Sequence, residues 1–280
     1  MSKFLEGQTA VVTGAGRGIG REIARELARL GARVAALART GAEIDETAAL
    51  IAGRGGQAQA IAVDLVDLAA VEGAMDLVAE TLGPVDLLVN NHGSFRAFGP
   101  VWTVDAGEWW DDIEINLRGS FHTCRVLAPR MLARGQGRII NLVGGGTGGS
   151  FPHGSGYAAS KAGLMRFTEC LNDTTLSGGV RAFALDPGLV RTAMTELQLN
   201  SPAGREWLPG IRGLFEEGVN VPPTRAAGVV AAIAEGCFDA LAGRMLRGVD
   251  DLEDLAAQIP RILAEDLRSL RLTGVDLPKL

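Results

Sequence analysis

Short apolar runs alternate with longer stretches of helical periodicity along most of this chain. The runs Thr9–Thr13, Arg33–Leu37, Ala58–Val63, Asp86–Asn90, Arg138–Val143 and Arg181–Leu185 each predict a strand buried on both faces. Between them, Ile19–Leu30, Glu43–Ala52, Leu68–Leu82, roughly Trp109–Arg134 and Tyr157–Leu176 predict helices. Such alternation builds βαβ units, so the expected fold is α/β: a single-domain, doubly wound Rossmann-type parallel sheet with helices on both faces. No repeat or linker divides residues 1–250. The rhythm breaks at Asn200–Pro223, which carries Pro202, Pro209, Pro222 and Pro223, and a substrate lid is expected over about 193–223. Beyond it come a helix at Ala226–Ala234 and a last short strand at Met245–Leu246. Residues 251–280 read as a C-terminal helical extension of the same domain, with apolar positions at Leu252, Leu255, Ile259 and Leu263.

With 280 residues, 47% of them hydrophobic, the chain can bury one large core. Its net charge of -6 and lack of a basic stripe argue against a nucleic-acid partner. No apolar run reaches the ~18 residues of a membrane span, and the start lacks a signal peptide. Cys124, Cys170 and Cys237 are few, odd in number and scattered, which suits a reducing compartment and a cytoplasmic protein. No His/Cys/Asp/Glu cluster has ligand spacing, so no metal is expected.

The first strand runs into Thr13-Gly-Ala-Gly-Arg-Gly-Ile-Gly20 and then into a helix. Glycines there admit a pyrophosphate to the backbone, and the helix N-terminus favours its charge. The second strand ends Ala36-Leu37-Ala38 without the acid that would bond a ribose 2′-hydroxyl. Arg39 follows it, and Arg17 sits in the glycine turn. Two guanidinium groups suit a 2′-phosphate, so the expected cofactor is NADP(H).

Tyr157 is the only tyrosine, and of 27 basic residues only Lys3, Lys161 and Lys279 are lysines. Tyr157 and Lys161 stand at i and i+4, on one face of a helix. A phenol beside an ammonium is a proton-transfer pair, and the positive charge should lower the phenol pKa. Spacing alone favours a buried tyrosine that merely neighbours an exposed lysine; the rest of the chain reverses that in favour of the chemical reading.

Taken together, these residues resemble the short-chain dehydrogenase/reductase (SDR) family. The glycine turn matches T-G-x-x-x-G-x-G, and Asn90-Asn91-His92-Gly93 matches N-N-A-G with His for Ala. Tyr157-Ala-Ala-Ser-Lys161 matches Y-x-x-x-K, and Pro187-Gly188-Leu189-Val190-Arg191-Thr192 matches P-G-x-x-x-T. The resemblance implies an NADPH-dependent carbonyl reductase or alcohol dehydrogenase. Tyr157 would be the general acid/base, Lys161 would tune it, and Asn116 would hold a water in a proton relay. It also implies cofactor contacts from Thr13, Gly14, Gly16, Arg17, Gly18, Ile19, Gly20 and Arg39. Asp64 would meet the adenine, and Leu65, Asn90, Asn91, Gly93, Pro187, Gly188, Val190 and Thr192 would complete the site. A homodimer or homotetramer built through the helices at 109–134 and 157–176 is expected as well.

One position departs. The family's catalytic serine lies about thirteen residues before the tyrosine, where this chain has Val143 and Gly144. Thr147 is the first candidate to replace its hydroxyl; Ser150, Ser155, His153 and His92 are less direct ones. Alternatively, the substrate needs no second donor, as for an enone, an imine or a redox-neutral reaction, or the glycines simply make room for a bulky substrate. Lost chemistry, leaving an NADP-binding sensor, is the remaining reading. Ser94, Phe95, His153 and Trp207 are the candidate substrate contacts, Trp109 and Trp110 are expected to anchor the long helix in the core, and the favoured substrate is a fairly apolar, bulky ketone.

Overall fold

A computed structural model describes residues 3–272. Seven strands form one wholly parallel sheet: β1 (Thr9–Thr13), β2 (Arg33–Ala38), β3 (Gln57–Ala62), β4 (Val85–Asn90), β5 (Gly137–Leu142), β6 (Val180–Asp186) and β7 (Met245–Arg247). Their order is β3-β2-β1-β4-β5-β6-β7. Successive side chains in a strand point to opposite faces. Val12, Val89, Ile140 and Phe183 therefore pack against α1 (Gly18–Arg29), α2 (Gly41–Ala52) and the helix at Pro223–Glu235. Val11, Leu88, Ile139 and Ala182 pack against α3 (Leu68–Thr81) and the helices that follow β4 and β5. Covering both faces explains why the strands read as unbroken apolar runs rather than alternating ones. Among the described residues, no helix is long and apolar enough to cross a membrane.

Two elements and one side chain differ from the expectation. The long helix is interrupted: α4 (Ala106–Ile113) passes through a π-helical turn at Glu114–Arg118 before α5 (Gly119–Leu132). A π turn inserts one extra residue per turn and rotates the following side chains, a device common at functional sites; here it carries Asn116. Trp109 donates from Nε1 to Ser155 Oγ at 3.0 Å, but Trp110 is 60% exposed and does not anchor the core. The proline-rich stretch is helical rather than irregular. After α6 (Ser155–Thr175) and β6 come α7 (Ala193–Asn200), α8 (Pro202–Trp207) and α9 (Gly210–Glu216). Ser201 caps α8 by accepting from Gly204 N, and Pro202 follows it at the first helical position. Proline is tolerated there because that N–H has no helical partner. The stretch thus spends its prolines on starting helices.

After α10 (Pro223–Glu235) and β7, the chain closes with α11 (Leu252–Ala264) on its own sheet face. The buried anchors are Leu255 and Ile262, with Leu252 and Ile259 beside them, whereas the expected Leu263 is turned outward. The part of the C-terminal extension at 273–280 lies outside the described residues.

Candidate active site

β1 pairs with β2 on one side and β4 on the other, so the strand order reverses between β1 and β4. Ligands of open α/β sheets bind at that point, beyond the carboxyl ends of the strands. A cavity of about 1000 Å3 opens there.

Its first half is built by the glycine turn. Gly14 and Gly18 adopt positive φ of 61° and 54°. A Cβ on Gly20 would lie 2.3 Å from both Asn91 Nδ2 and Gly14 O, so only glycine lets α1 begin this close to the loop. Gly14, Gly16, Arg17, Gly18 and Ile19 line the cavity, as do Arg39, Asp64 and Leu65. Asn91 and Gly93 line it from the β4 loop, and Pro187, Gly188, Val190 and Thr192 from the β6 loop. Thr13, Gly20 and Asn90 stand behind this wall rather than on it. Thr13 Oγ1 accepts from Asn91 N at 3.0 Å, and Asn90 Nδ2 donates to Asn141 Oδ1 at 2.8 Å inside the sheet. An open glycine cradle under a helix N-terminus, with a long cavity on either side, fits a nicotinamide dinucleotide. Glu43, which sequence reasoning missed, also lines the cavity and pairs with Arg17 at 3.2 Å. Arg39 has no side-chain partner among the described residues.

The second half surrounds Tyr157. Its ring stacks on Phe95, with centroids 4.5 Å apart and planes 19° from parallel, while Phe151 meets it edge-on. Lys161 Nζ lies 5.6 Å from the ring centroid and donates to Leu142 O at 2.8 Å. Burial lowers the Lys161 pKa to about 8. The phenol does not behave as the spacing suggested. Burial, then the charges of Asp186 and Asp112, push Tyr157 well above the usual tyrosine range. Removing a phenolate from water outweighs the nearby ammonium, which is already bonded to a carbonyl.

Asn116 is locked in place. Its Nδ2 donates to Ser94 O and Ser160 Oγ, both at 2.9 Å, and its Oδ1 accepts from Ser94 N at 2.7 Å. A Cβ on Gly93 would lie 3.1 Å from Asn116 Oδ1 and 3.7 Å from Lys161 Nζ, so the π turn brings the amide to the lysine. Ser94 is expected to touch substrate, but its hydroxyl donates to Asp112 Oδ1 at 2.6 Å and it does not line the cavity. Asp112 also accepts from Arg96 N and Ala97 N, and so fixes the loop that carries Phe95. Asp112→Ala leaves these buried donors unmade and should lower unfolding free energy by about 3 kcal/mol. A urea denaturation curve checks it, and an unchanged midpoint would show that the loop does not depend on the carboxylate.

The candidates for the missing hydroxyl turn elsewhere. Thr147 is corrected most clearly: its Oγ1 donates to Gly144 O at 2.6 Å, closing its own turn, and the residue does not line the cavity. Ser155 Oγ accepts from Trp109, and His92 Nδ1 lies 2.7 Å from Thr13 Oγ1. Burial and the charge of Lys161 lower the His92 pKa to about 3, so that ring is neutral. Gly144 itself faces the phenol, and a Cβ built on it would lie 2.7 Å from Tyr157 Oη. His153 and Trp207 do line the cavity, with ring centroids 5.1 Å apart. Phe151, in the loop before α6, joins them, as do Met194 and Gln198 on α7 and Leu208 after α8; sequence reasoning missed these four, the last three because 193–223 was expected only as a lid whose inward face no pattern marks.

Residues 8–202 match the family described as short chain dehydrogenase. The chain belongs to the short-chain dehydrogenase family. It is therefore an NAD(P)-dependent oxidoreductase of the alcohol/carbonyl type. A relative from Sphingomonas sp., 2-dehydro-3-deoxy-L-rhamnonate dehydrogenase (NAD(+)), is 34% identical over 75% of this chain and 81% of its own. The crystal structure of a putative NAD(P)-dependent gluconate 5-dehydrogenase from Beutenbergia cavernae, with bound NADP, is 35% identical. It covers 91% of this chain and all of its own at a TM-score of 0.78. A variant of actinorhodin polyketide ketoreductase with NADPH is 31% identical, covering 88% of this chain and 97% of its own, also at 0.78.

Proposed function

We propose that this short-chain dehydrogenase is an NADPH-dependent reductase of a fairly apolar ketone, with Tyr157 as the proton donor. The observation that carries the reading is the half-buried phenol stacked on Phe95 at the wall of an aromatic pocket, where loss of water holds it above its usual range. A phenol that keeps its proton at neutral pH is in the state a carbonyl reduction requires. The reduced nicotinamide, when bound, supplies the hydride. Tyr157 Oη gives its proton to the developing alkoxide, and Phe95 and Phe151 fix the ring and exclude water. Lys161 holds positive charge beneath the phenol below about pH 8, and Asn116 holds the loop beside the ammonium. Gly144 is clearance for the phenol rather than a lost donor, leaving the Tyr157 hydroxyl as the proton donor.

NADP(H) is preferred because no acid ends β2 and Arg39 stands unpaired at the cavity wall, while Glu43 holds Arg17 beside it. The exposed Trp110 and Phe121 on the outer side of α4 and α5 support a homodimer or homotetramer built on these helices. Free cysteines support a cytoplasmic setting.

The test is NADPH and NADH oxidation over a panel of ketones, enones and imines. Ketone turnover with NADPH is expected, and Arg39→Glu should raise the KM for NADPH about 10²-fold while sparing NADH. Ketone turnover with NADH alone would sink the cofactor assignment, and turnover confined to enones or imines would sink the ketone.

A further inference from the structure

Two polar groups in the substrate half have no partner, although the walls around them are apolar. Gln198, on α7, is 5% exposed and lines the cavity, and its side-chain amide makes no hydrogen bond among the described residues. It lies one helical turn beyond Met194, which packs in one cluster with Phe95, Phe151, Leu208 and Tyr157. His153 is the second. Its Nδ1 is buried without a hydrogen-bond partner, its ring faces Trp207, and its backbone is held at φ 62°, a conformation that favours glycine. The Gln198 amide thus faces the cavity unpaired, and the buried His153 Nδ1 costs stability unless a ligand completes it.

The charges of the cavity lie elsewhere. Arg17, Arg39, Glu43 and Asp64 stand with the glycine turn, and Lys161 bonds Leu142 O. Arg247 Nε lies 3.9 Å from Asp186 Oδ2, so that cation already has a counter-charge. Arg212, whose Nη2 donates to Leu199 O at 3.3 Å, does not line the cavity, so among the described residues a substrate carboxylate or phosphate would find no free cation on the wall beside Gln198 and His153.

We propose that the substrate is an uncharged ketone with an apolar body and a second oxygen function, a hydroxyl or carbonyl, recognised by Gln198 and His153. This rests on the reductase reading of the same site. The amide both donates and accepts, so it takes either oxygen function, and the aromatic walls take the carbon skeleton. A plain ketone would cover both groups without pairing them, which is how such sites discriminate against the analogue that lacks the oxygen.

The experiment compares kcat/KM with NADPH for three matched aryl alkyl ketones: plain, bearing a hydroxyl at the far end, and bearing a carboxylate there. The hydroxylated ketone should exceed the plain one about 10–100-fold, with the carboxylate poorest. In Gln198→Leu the ratio of hydroxylated to plain should fall toward one. His153→Gly, which keeps the left-handed backbone, should lower the same ratio if the leucine variant fails to fold. A merely structural defect slows both ketones together and leaves the ratio where it was, which would overturn the proposal. Equal rates for the two neutral ketones in the unaltered protein, or a preference for the carboxylate, would overturn it too. No NADPH oxidation with any of the three, nor with the wider ketone panel, would instead remove the reductase reading, and the proposal with it.

Discussion

Tyr157→Phe is expected to remove ketone reduction, by about 10²–10⁴-fold or more in kcat, while the Kd for NADPH stays nearly the same. The substitution deletes one oxygen. The ring keeps its stacking on Phe95 at 4.5 Å and its edge contact with Phe151, so the pocket keeps its shape. Tyr157 carries the one hydroxyl side chain near the Gly144 wall of the cavity among the described residues: Thr147 and Ser94 donate theirs to Gly144 O and Asp112, and Ser155, which accepts from Trp109, does not line the cavity. In an SDR with a second hydroxyl at the reacting oxygen, losing the phenol would leave one donor; here it leaves none. Stopped-flow hydride transfer, read beside NADPH fluorescence titration, separates the outcomes. Loss of both binding and turnover would make the tyrosine structural. Turnover close to that of the unaltered protein would mean that another group, or a water, supplies the proton.

Gly144→Ser should lower kcat as well, by about 10²-fold, although it restores the residue that the family pattern places there. A Cβ at this position would lie 2.7 Å from Tyr157 Oη, closer than real Cβ contacts allow. The phenol would have to move, and Phe95 on its other side leaves it little room. Displacing a proton donor by about 1 Å is enough for a loss of that size. Gly144→Ala should behave like the serine, since the Cβ rather than the hydroxyl is at fault. The steady-state kcat of both variants decides the matter: a serine variant faster than the unaltered protein would show that the site does lack a donor and that Gly144 is a defect.

Much of this protein is legible in the chain. The strands from β1 to β6 and the helices around them follow from runs and periods that local sequence carries directly, because a sheet buried on both faces writes itself as continuous apolar residues. The glycine turn is equally plain, since Gly14 and Gly18 need positive φ and Gly20 needs a vacant Cβ position. The rarity of tyrosine and lysine marks Tyr157 and Lys161. What spacing cannot carry is anything that depends on residues distant in the chain. The i,i+4 rule implied that Lys161 would lower the tyrosine pKa, yet burial by Phe95 and its neighbours, together with Asp186 and Asp112, raises it. Thr147 is near Tyr157 in sequence, but its hydroxyl closes a local turn. The prolines of 200–223 break the rhythm of the chain, whereas Ser201 and Pro202 begin a helix that, with α7, brings Gln198 and Trp207 to the cavity.

The sequence by itself therefore determined the parallel sheet, the family and the positions of the phenol–ammonium pair, since each is encoded within a few neighbouring residues. Only the tertiary structure decided the direction in which the Tyr157 pKa moves, the close approach of Gly144 to the phenol and the two unpaired groups at the cavity wall. Desolvation and close approach are properties of residues that meet across the fold, and no local pattern contains them.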